Sequence, residues 1–198
     1  SPDGQTVVSG GADNKLYLWQ LSDKTLIRTL TGHTNLIEVA IFSTDGQRLI
    51  SGSQDSTLRV WQVSDGSLLH TENGYTQGHL SVAISPDNQI IATGSLDSTV
   101  RFWNASDGQL RRELTGHQDW VRSVAFSPDG AIVASSGGDN RVRLWLAENG
   151  ELQATLQQPI NIVESVMFSS DGQTLASGSH DNLIHLLNVT DGTEISNL

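Results

Sequence analysis

A turn of the form Ser-x-Asp-x begins at Ser1, Ser43, Ser85, Ser127 and Ser169, and every interval between successive starts is 42 residues. A period this long and free of gaps means that the chain repeats one supersecondary unit, each copy placed against the next. The fullest copy runs from Gly116 to Trp145. Its recurring points are Gly116-His117, Ser127-Pro128-Asp129-Gly130, Ser135, Asp139 and Trp145. One period earlier the same points are Gly32-His33, Ser43-Thr44-Asp45-Gly46, Ser51, Asp55 and Trp61.

Each period reads as short strands separated by turns. After Ser1-Pro2-Asp3-Gly4, the β-branched stretch Gln5 to Ser9 predicts a strand. Proline presets φ in such a turn and glycine accepts positive φ, so the reversal has a mechanism. Lys15 to Trp19 sets Leu16 and Leu18 against Tyr17 and Trp19, the period-two signature of a strand. A turn at Ser22-Asp23-Lys24 leads to a further strand, Thr25 to Leu30. In later periods that turn holds the hairpin-forming pairs Asp65-Gly66, Asp107-Gly108, Asn149-Gly150 and Asp191-Gly192.

This spacing, with Gly-His upstream and a closing Trp, resembles the WD40 repeat over essentially the whole chain. The resemblance implies an all-β propeller of four-stranded antiparallel blades standing round a channel. In this register residues 1–30 form a partial blade, and residues 31–72, 73–114, 115–156 and 157–198 form full ones, all in one domain. The first unit lacks its innermost strand and the last stops before another would begin. Either the chain is part of a larger propeller of about seven blades, or it closes as a thin five-bladed ring. Unpaired strand edges favour association, so self-association through open ends is expected.

In the family, a His, a Ser or Thr, an Asp and the Trp form a buried hydrogen-bonded tetrad. Carried over by position, His33, Ser51, Asp55 and Trp61 are complete, as are His117, Ser135, Asp139 and Trp145. The third unit keeps Thr93, Asp97 and Trp103 but has Tyr75 in the His position. The first keeps Ser9, Asp13 and Trp19; the last has Pro159 and Leu187 for His and Trp, leaving Ser177 and Asp181. That last blade is expected to be the least rigidly specified. Ser, His and Asp together also suggest a hydrolytic triad. A triad is needed only once, however, and its nucleophile must face a cleft, whereas these hydroxyls recur in mid-strand.

Composition narrows the function. With 11 basic and 22 acidic residues the formal charge is -11, the wrong sign for a phosphate-backbone binder, and no basic run exceeds Arg111-Arg112. No nucleic-acid partner is expected. There is no cysteine, no His pair at ligand spacing and no phosphate-binding glycine loop, so no cofactor or metal site is expected either. His70, His79, His180 and His185 fall outside the tetrad positions and read as surface histidines. No apolar run reaches membrane-spanning length. With no visible signal segment, this points to a cytoplasmic protein without a membrane partner.

In propellers resembling this one, partners often meet the face reached by two residues near the start of each inner strand and one just before the tetrad Asp. Here those positions are Leu36, Glu38 and Gln54; Gly78, Leu80 and Leu96; Trp120, Arg122 and Gly138; and Ile162, Glu164 and His180. Trp and Arg are enriched among interface hot spots, so Trp120, Arg122 and Leu96 form the leading patch. A large residue in that place also packs over its own blade's loop, and the sequence leaves both readings of Trp120 open. The resulting expectation is a non-catalytic scaffold for a protein or peptide partner. Two alternatives differ in class. One is a regulatory propeller domain joined to a kinase or protease. The other is a propeller enzyme with a channel-centred site, which requires carboxylates or His on inner strands that here read VAIF, VAIS, VAFS and VMFS.

Overall fold

The computed structural model describes residues 1–73, 78–156 and 161–198, with the side chains of His79 and Leu80 left aside. The described residues form strands and turns, with no helix among them. The first sheet has three strands, β1 (Thr6–Gly10), β2 (Lys15–Gln20) and β3 (Leu26–Thr31). The second has four, β4 (Ile37–Phe42), β5 (Arg48–Ser53), β6 (Thr57–Gln62) and β7 (Leu68–Asn73). The third comprises β8 (His79–Ile84), β9 (Ile90–Ser95), β10 (Val100–Asn104) and β11 (Leu110–Leu114). The fourth comprises β12 (Val121–Phe126), β13 (Ile132–Gly137), β14 (Val142–Leu146) and β15 (Leu152–Leu156). The fifth comprises β16 (Val163–Phe168), β17 (Thr174–Ser179), β18 (Ile184–Asn188) and β19 (Glu194–Asn197).

All pairings are antiparallel and run in chain order within each sheet. The glycines of the Asx-Gly turns explain the hairpins before each outer strand: Gly66, Gly108, Gly150 and Gly192 have φ of 77°, 74°, 76° and 72°. In the first sheet Lys24 takes the same left-handed position at φ 59°, with Asp23 accepting hydrogen bonds from Thr25. The Ser-x-Asp-x turns are locked in the same way each time. In the second sheet the Ser43 hydroxyl donates to Asp45 (2.5 Å) while accepting from the Arg48 N–H (2.9 Å).

Strand alternation explains why apolar residues occur at both parities. On β6, Leu58 and Val60 pack forward onto the third sheet with Ile91 and Trp103, whereas Trp61 packs back on Leu16 and Leu18 of the first. The next two joints repeat the scheme, Phe102 facing Trp145 and Leu144 facing Leu187. A β-sheet buried on both faces by its neighbours has no solvent side, so strict apolar–polar alternation disappears. Each Leu or Val fully buried this way contributes roughly 1.5–3 kcal/mol.

The sheets follow one another as an open arc. The sheets pack in series, β1 on β4, β4 on β8, β8 on β12 and β12 on β16, with no comparable packing of the fifth sheet on the first among the described residues. The inner strands line a groove of about 500 Å3 whose walls include Ile84, Phe126, Met167 and Phe168. Among the described residues, no His, Asp, Glu, Lys or Arg lines that groove.

Candidate functional site

Two hydrogen-bonded chains run through the second and fourth sheets. In the second, the Trp61 indole N–H donates to Ser51 Oγ (2.9 Å), which lies 2.8 Å from His33 Nε2, and His33 Nδ1 lies 2.9 Å from Asp55 Oδ2. An indole can only donate and a carboxylate can only accept. The Ser51 hydroxyl therefore donates to Nε2, and the imidazole carries its proton on Nδ1, facing Asp55. The fourth sheet repeats this with Trp145, Ser135, His117 and Asp139 at 2.8, 2.8 and 2.9 Å. Ser51 and Ser135 are wholly buried, so neither hydroxyl reaches a substrate.

The other sheets hold parts of this arrangement. In the third, Trp103 Nε1–H donates to Thr93 Oγ1 (2.9 Å) and Asp97 pairs with Arg101 (2.9 Å). In the first, Trp19 Nε1–H donates to Ser9 Oγ (3.0 Å), and Asp13 accepts from the Tyr17 hydroxyl (2.6 Å). Tyr75 and Pro159, the expected substitutes for His, lie outside the described residues. In the fifth sheet Ser177 Oγ is buried with no hydrogen-bond partner among the described residues.

His185 corrects the sequence reading. It is buried rather than on the surface, with Nε2 2.9 Å from Asp181 and Nδ1 2.9 Å from Glu194. Four residues after each tetrad Asp stands Tyr17, Arg59, Arg101, Arg143 or His185. At four of the five this side chain binds its Asp, Arg143 doing so at 2.6 Å. Residues two apart on a strand share a face, which carries this position back toward the Asp turn. The 42-residue column was visible in the sequence, but an Arg, Tyr or His on an acidic chain reads there as a solvated group.

Ionisation differs between these sites. Burial pushes the His33 and His117 imidazoles below the ordinary histidine range, although Asp55 and Asp139 favour their charge. Burial pushes Asp55 and Asp139 up, but their hydrogen bonds outweigh it and hold each at about 2. For Asp55 the donors are Thr57, the Thr34 N–H and His33; for Asp139 they are His117, Arg143 and the Gln118 N–H. His185 goes the other way. Burial disfavours its charge, but Glu194 and Asp181 on its two nitrogens outweigh that and raise its pKa.

The signs predict opposite pH responses. The unfolded chain protonates His33 and His117 near pH 6.5, while the folded one resists. Their contribution is thus present above about pH 6.5 and falls as pH drops, and that of Asp55 and Asp139 is lost further down, from about pH 4 toward 2. The contribution of His185 is present below about pH 6.5 and is lost as pH rises through its raised folded value. Amide exchange between about pH 6 and pH 8, corrected for intrinsic rates, should show β18 and β19 losing protection while β5, β6, β13 and β14 hold theirs. Unchanged protection of β19, or the same response with His185→Gln, would contradict this assignment.

The loop positions ahead of the inner strands are joined in pairs within each sheet. The N–H groups of Gln54, Leu96, Gly138 and His180 donate to the carbonyls of Leu36, Gly78, Trp120 and Ile162, at 2.9, 3.1, 2.9 and 2.9 Å. Leu36, Leu96 and Ile162 are half-buried, and the Leu80 side chain lies outside the described residues. Gln54 Nε2–H donates to Glu38 Oε1 (2.5 Å). One period-equivalent pair, His180 and Glu164, sits at 3.0 Å, and Arg122 of the fourth sheet reaches Glu164 at 3.6 Å. The Arg122 guanidinium carbon lies 5.0 Å from the centre of the Trp120 ring, and Trp120 is 43% exposed. The Gly137-Gly138 pair has a steric reason. A Cβ on Gly137 would collide with the Trp120 carbonyl, and one on Gly138 would lie 2.8 Å from the Asp119 carboxylate.

The WD domain, G-beta repeat family matches residues 1–20, 24–62, 66–104, 108–145 and 150–188. The chain belongs to the WD40 repeat family. No curated protein matches it. WD40 repeats generally act as protein-interaction scaffolds and are typically non-catalytic. In this WD40 chain the Trp is followed by Gln20, Gln62, Asn104 or Leu146 rather than Asp. These residues lie at the ends of β2, β6, β10 and β14, outside the hydrogen-bonded chains.

Proposed function

We propose that this WD40 array is a non-catalytic scaffold whose inner-strand loop face binds an extended peptide or protein segment. Trp120 and Arg122 are the anchors, and Glu164 and His180 flank them. The observation that carries this reading is an exposed tryptophan on a fixed backbone, with a cation over its ring and a charged cluster contributed by the adjacent sheet. A rigid aromatic loses little conformational entropy on binding, and a neighbouring Arg–Glu–His group supplies polar selectivity. The buried Ser–His–Asp sets are framework in this reading, because each is closed by an indole donor on the serine.

Panning the folded chain against a random peptide display library tests the proposal. Selected peptides should lose about tenfold or more in affinity on Trp120→Ala, equivalent to about 1.4 kcal/mol. The melting temperature should barely move, since the ring is not part of a packed core. Leu152→Ala, an exposed residue on outer strand β15, serves as the control and should leave binding unchanged. Peptides indifferent to Trp120 and Arg122 would overturn the assignment. So would a loss of stability from Trp120→Ala as large as that from Trp145→Ala.

A further inference from the structure

On the loop face the fourth sheet departs from its neighbours at Asp119, Trp120 and Gly138 together. In the second and fifth sheets the corresponding first residue is Asn35 or Asn161, whose side-chain oxygen accepts from the Leu36 or Ile162 N–H, at 2.8 Å in both. In the fourth sheet the same bond, from the Trp120 N–H, goes to the carboxylate of Asp119 (2.7 Å). The third sheet's counterpart, Gln77, lies outside the described residues. Leu36 and Ile162 are half-buried, whereas their equivalent Trp120 is exposed. Where the second, third and fifth sheets carry Gln54, Leu96 and His180, the fourth has Gly138.

We propose, resting on the loop-face reading above, that the bound segment is basic. A lysine or arginine side chain of the partner lies along the Trp120 indole with its charged head on the Asp119 carboxylate. An asparagine makes the backbone bond in the second and fifth sheets, so the loop itself does not require the negative charge of Asp119. That carboxylate is exposed, and among the described residues no cation pairs with it. Its place is nonetheless fixed. One oxygen holds the Trp120 N–H, and the other lies 2.8 Å from where a Cβ on Gly138 would stand, so a larger residue there would push it aside. A fixed carboxylate beside an exposed indole matches a long cationic side chain, whose methylenes pack on the ring while its charge reaches the acid.

The neighbouring charges keep this sign. Arg122 lies over the ring at 5.0 Å and reaches Glu164 at 3.6 Å, so these two offset each other and leave Asp119 uncompensated. An acidic segment would meet Asp119 and Glu164 together and gain only Arg122. The fourth sheet packs on a neighbour at either side, so the exposure of Trp120 belongs to the loop face itself.

Pools of random peptides of one length, built from uncharged residues around a fixed central Lys, Glu or Leu, are titrated against the folded chain by fluorescence anisotropy. The Lys pool should bind about fivefold more tightly than the Leu pool, and the Glu pool most weakly. Asp119→Asn should bring the Lys pool down to the Leu pool without moving the melting temperature, because the amides of Asn35 and Asn161 make the same backbone bond. Raising salt from about 0.05 M to about 0.5 M should weaken the Lys pool on the unaltered chain and much less on the variant. Equal binding of the Lys pool to the unaltered chain and to Asp119→Asn would overturn the proposal, as would a preference for the Glu pool. Trp120→Ala separates the two readings. Lys and Leu pools bound alike, and both weakened by Trp120→Ala, would keep the loop face as the binding surface and remove its basic preference. Pools indifferent to Trp120→Ala would overturn the loop-face reading and the basic ligand with it.

Discussion

Trp61→Ala and Trp145→Ala are each expected to lower the free energy of unfolding by about 3–5 kcal/mol, the range for removing a buried aromatic from a packed core. Both indoles are buried, each at the joint with the preceding sheet, and both donate a hydrogen bond to a buried serine. Alanine at either position opens a cavity between two sheets and leaves Ser51 or Ser135 without its donor, a further penalty of about 1–3 kcal/mol when water cannot enter. Trp19 supplies the internal comparison. It makes the same bond to Ser9, but it is only half-buried. Trp19→Ala should therefore cost clearly less than either. Urea titrations at matched concentration check this, with the midpoint shifting and the slope unchanged. Equal losses at Trp19 and Trp145 would mean that the indole's hydrogen bond, and not the joint it fills, dominates.

Asp139→Ala is expected to cost a similar amount, about 3–5 kcal/mol, for an electrostatic reason. The Asp139 carboxylate is the shared acceptor for the His117 imidazole, the Arg143 guanidinium and the Gln118 N–H. The Arg143 side chain is itself almost wholly buried, so removing Asp139 strands a charge that cannot neutralise itself. Asp13→Ala tests the mechanism, since that carboxylate sits in the open first sheet beside the Tyr17 hydroxyl and its loss strands no cation. Its effect should be much smaller. Arg143→Met separates the two components. Combined with Asp139→Ala it should recover part of the loss, because the stranded charge is then absent. A double variant as unstable as the sum of the single ones would contradict the argument.

Much of this structure was legible in the period itself. Four repeats of Asx-Gly announced hairpins, and glycine takes positive φ at each, with Lys24 adopting the same conformation where no glycine stands. Sequence bounds missed by about one residue, Gln5 to Ser9 becoming Thr6–Gly10, because the ladder rather than β-propensity sets where a strand ends. His185 was misread for a different reason. Its two carboxylate partners come from its own β-turn and from the outer strand β19, and an isolated histidine in a polar stretch gives no sign of either. The loop face shows the same limit. Trp120, Arg122, Glu164 and His180 could be singled out by their positions in the repeat, but the stacking of Arg122 on Trp120 and the contacts of Glu164 with Arg122 and His180 join two sheets and were not legible.

The 42-residue recurrence alone determined the unit, the strand order within it and the positions of the His, Ser, Asp and Trp columns, because these depend on local spacing along one sheet. Which columns face forward and which face backward, and so which apolar residues are covered, was decided only by the packing of one sheet on another. The physical reason is that alternation along a strand assigns side chains to two faces without saying what lies against either. That information resides in contacts between residues a full period apart, where burial, desolvation and charge pairing are settled together.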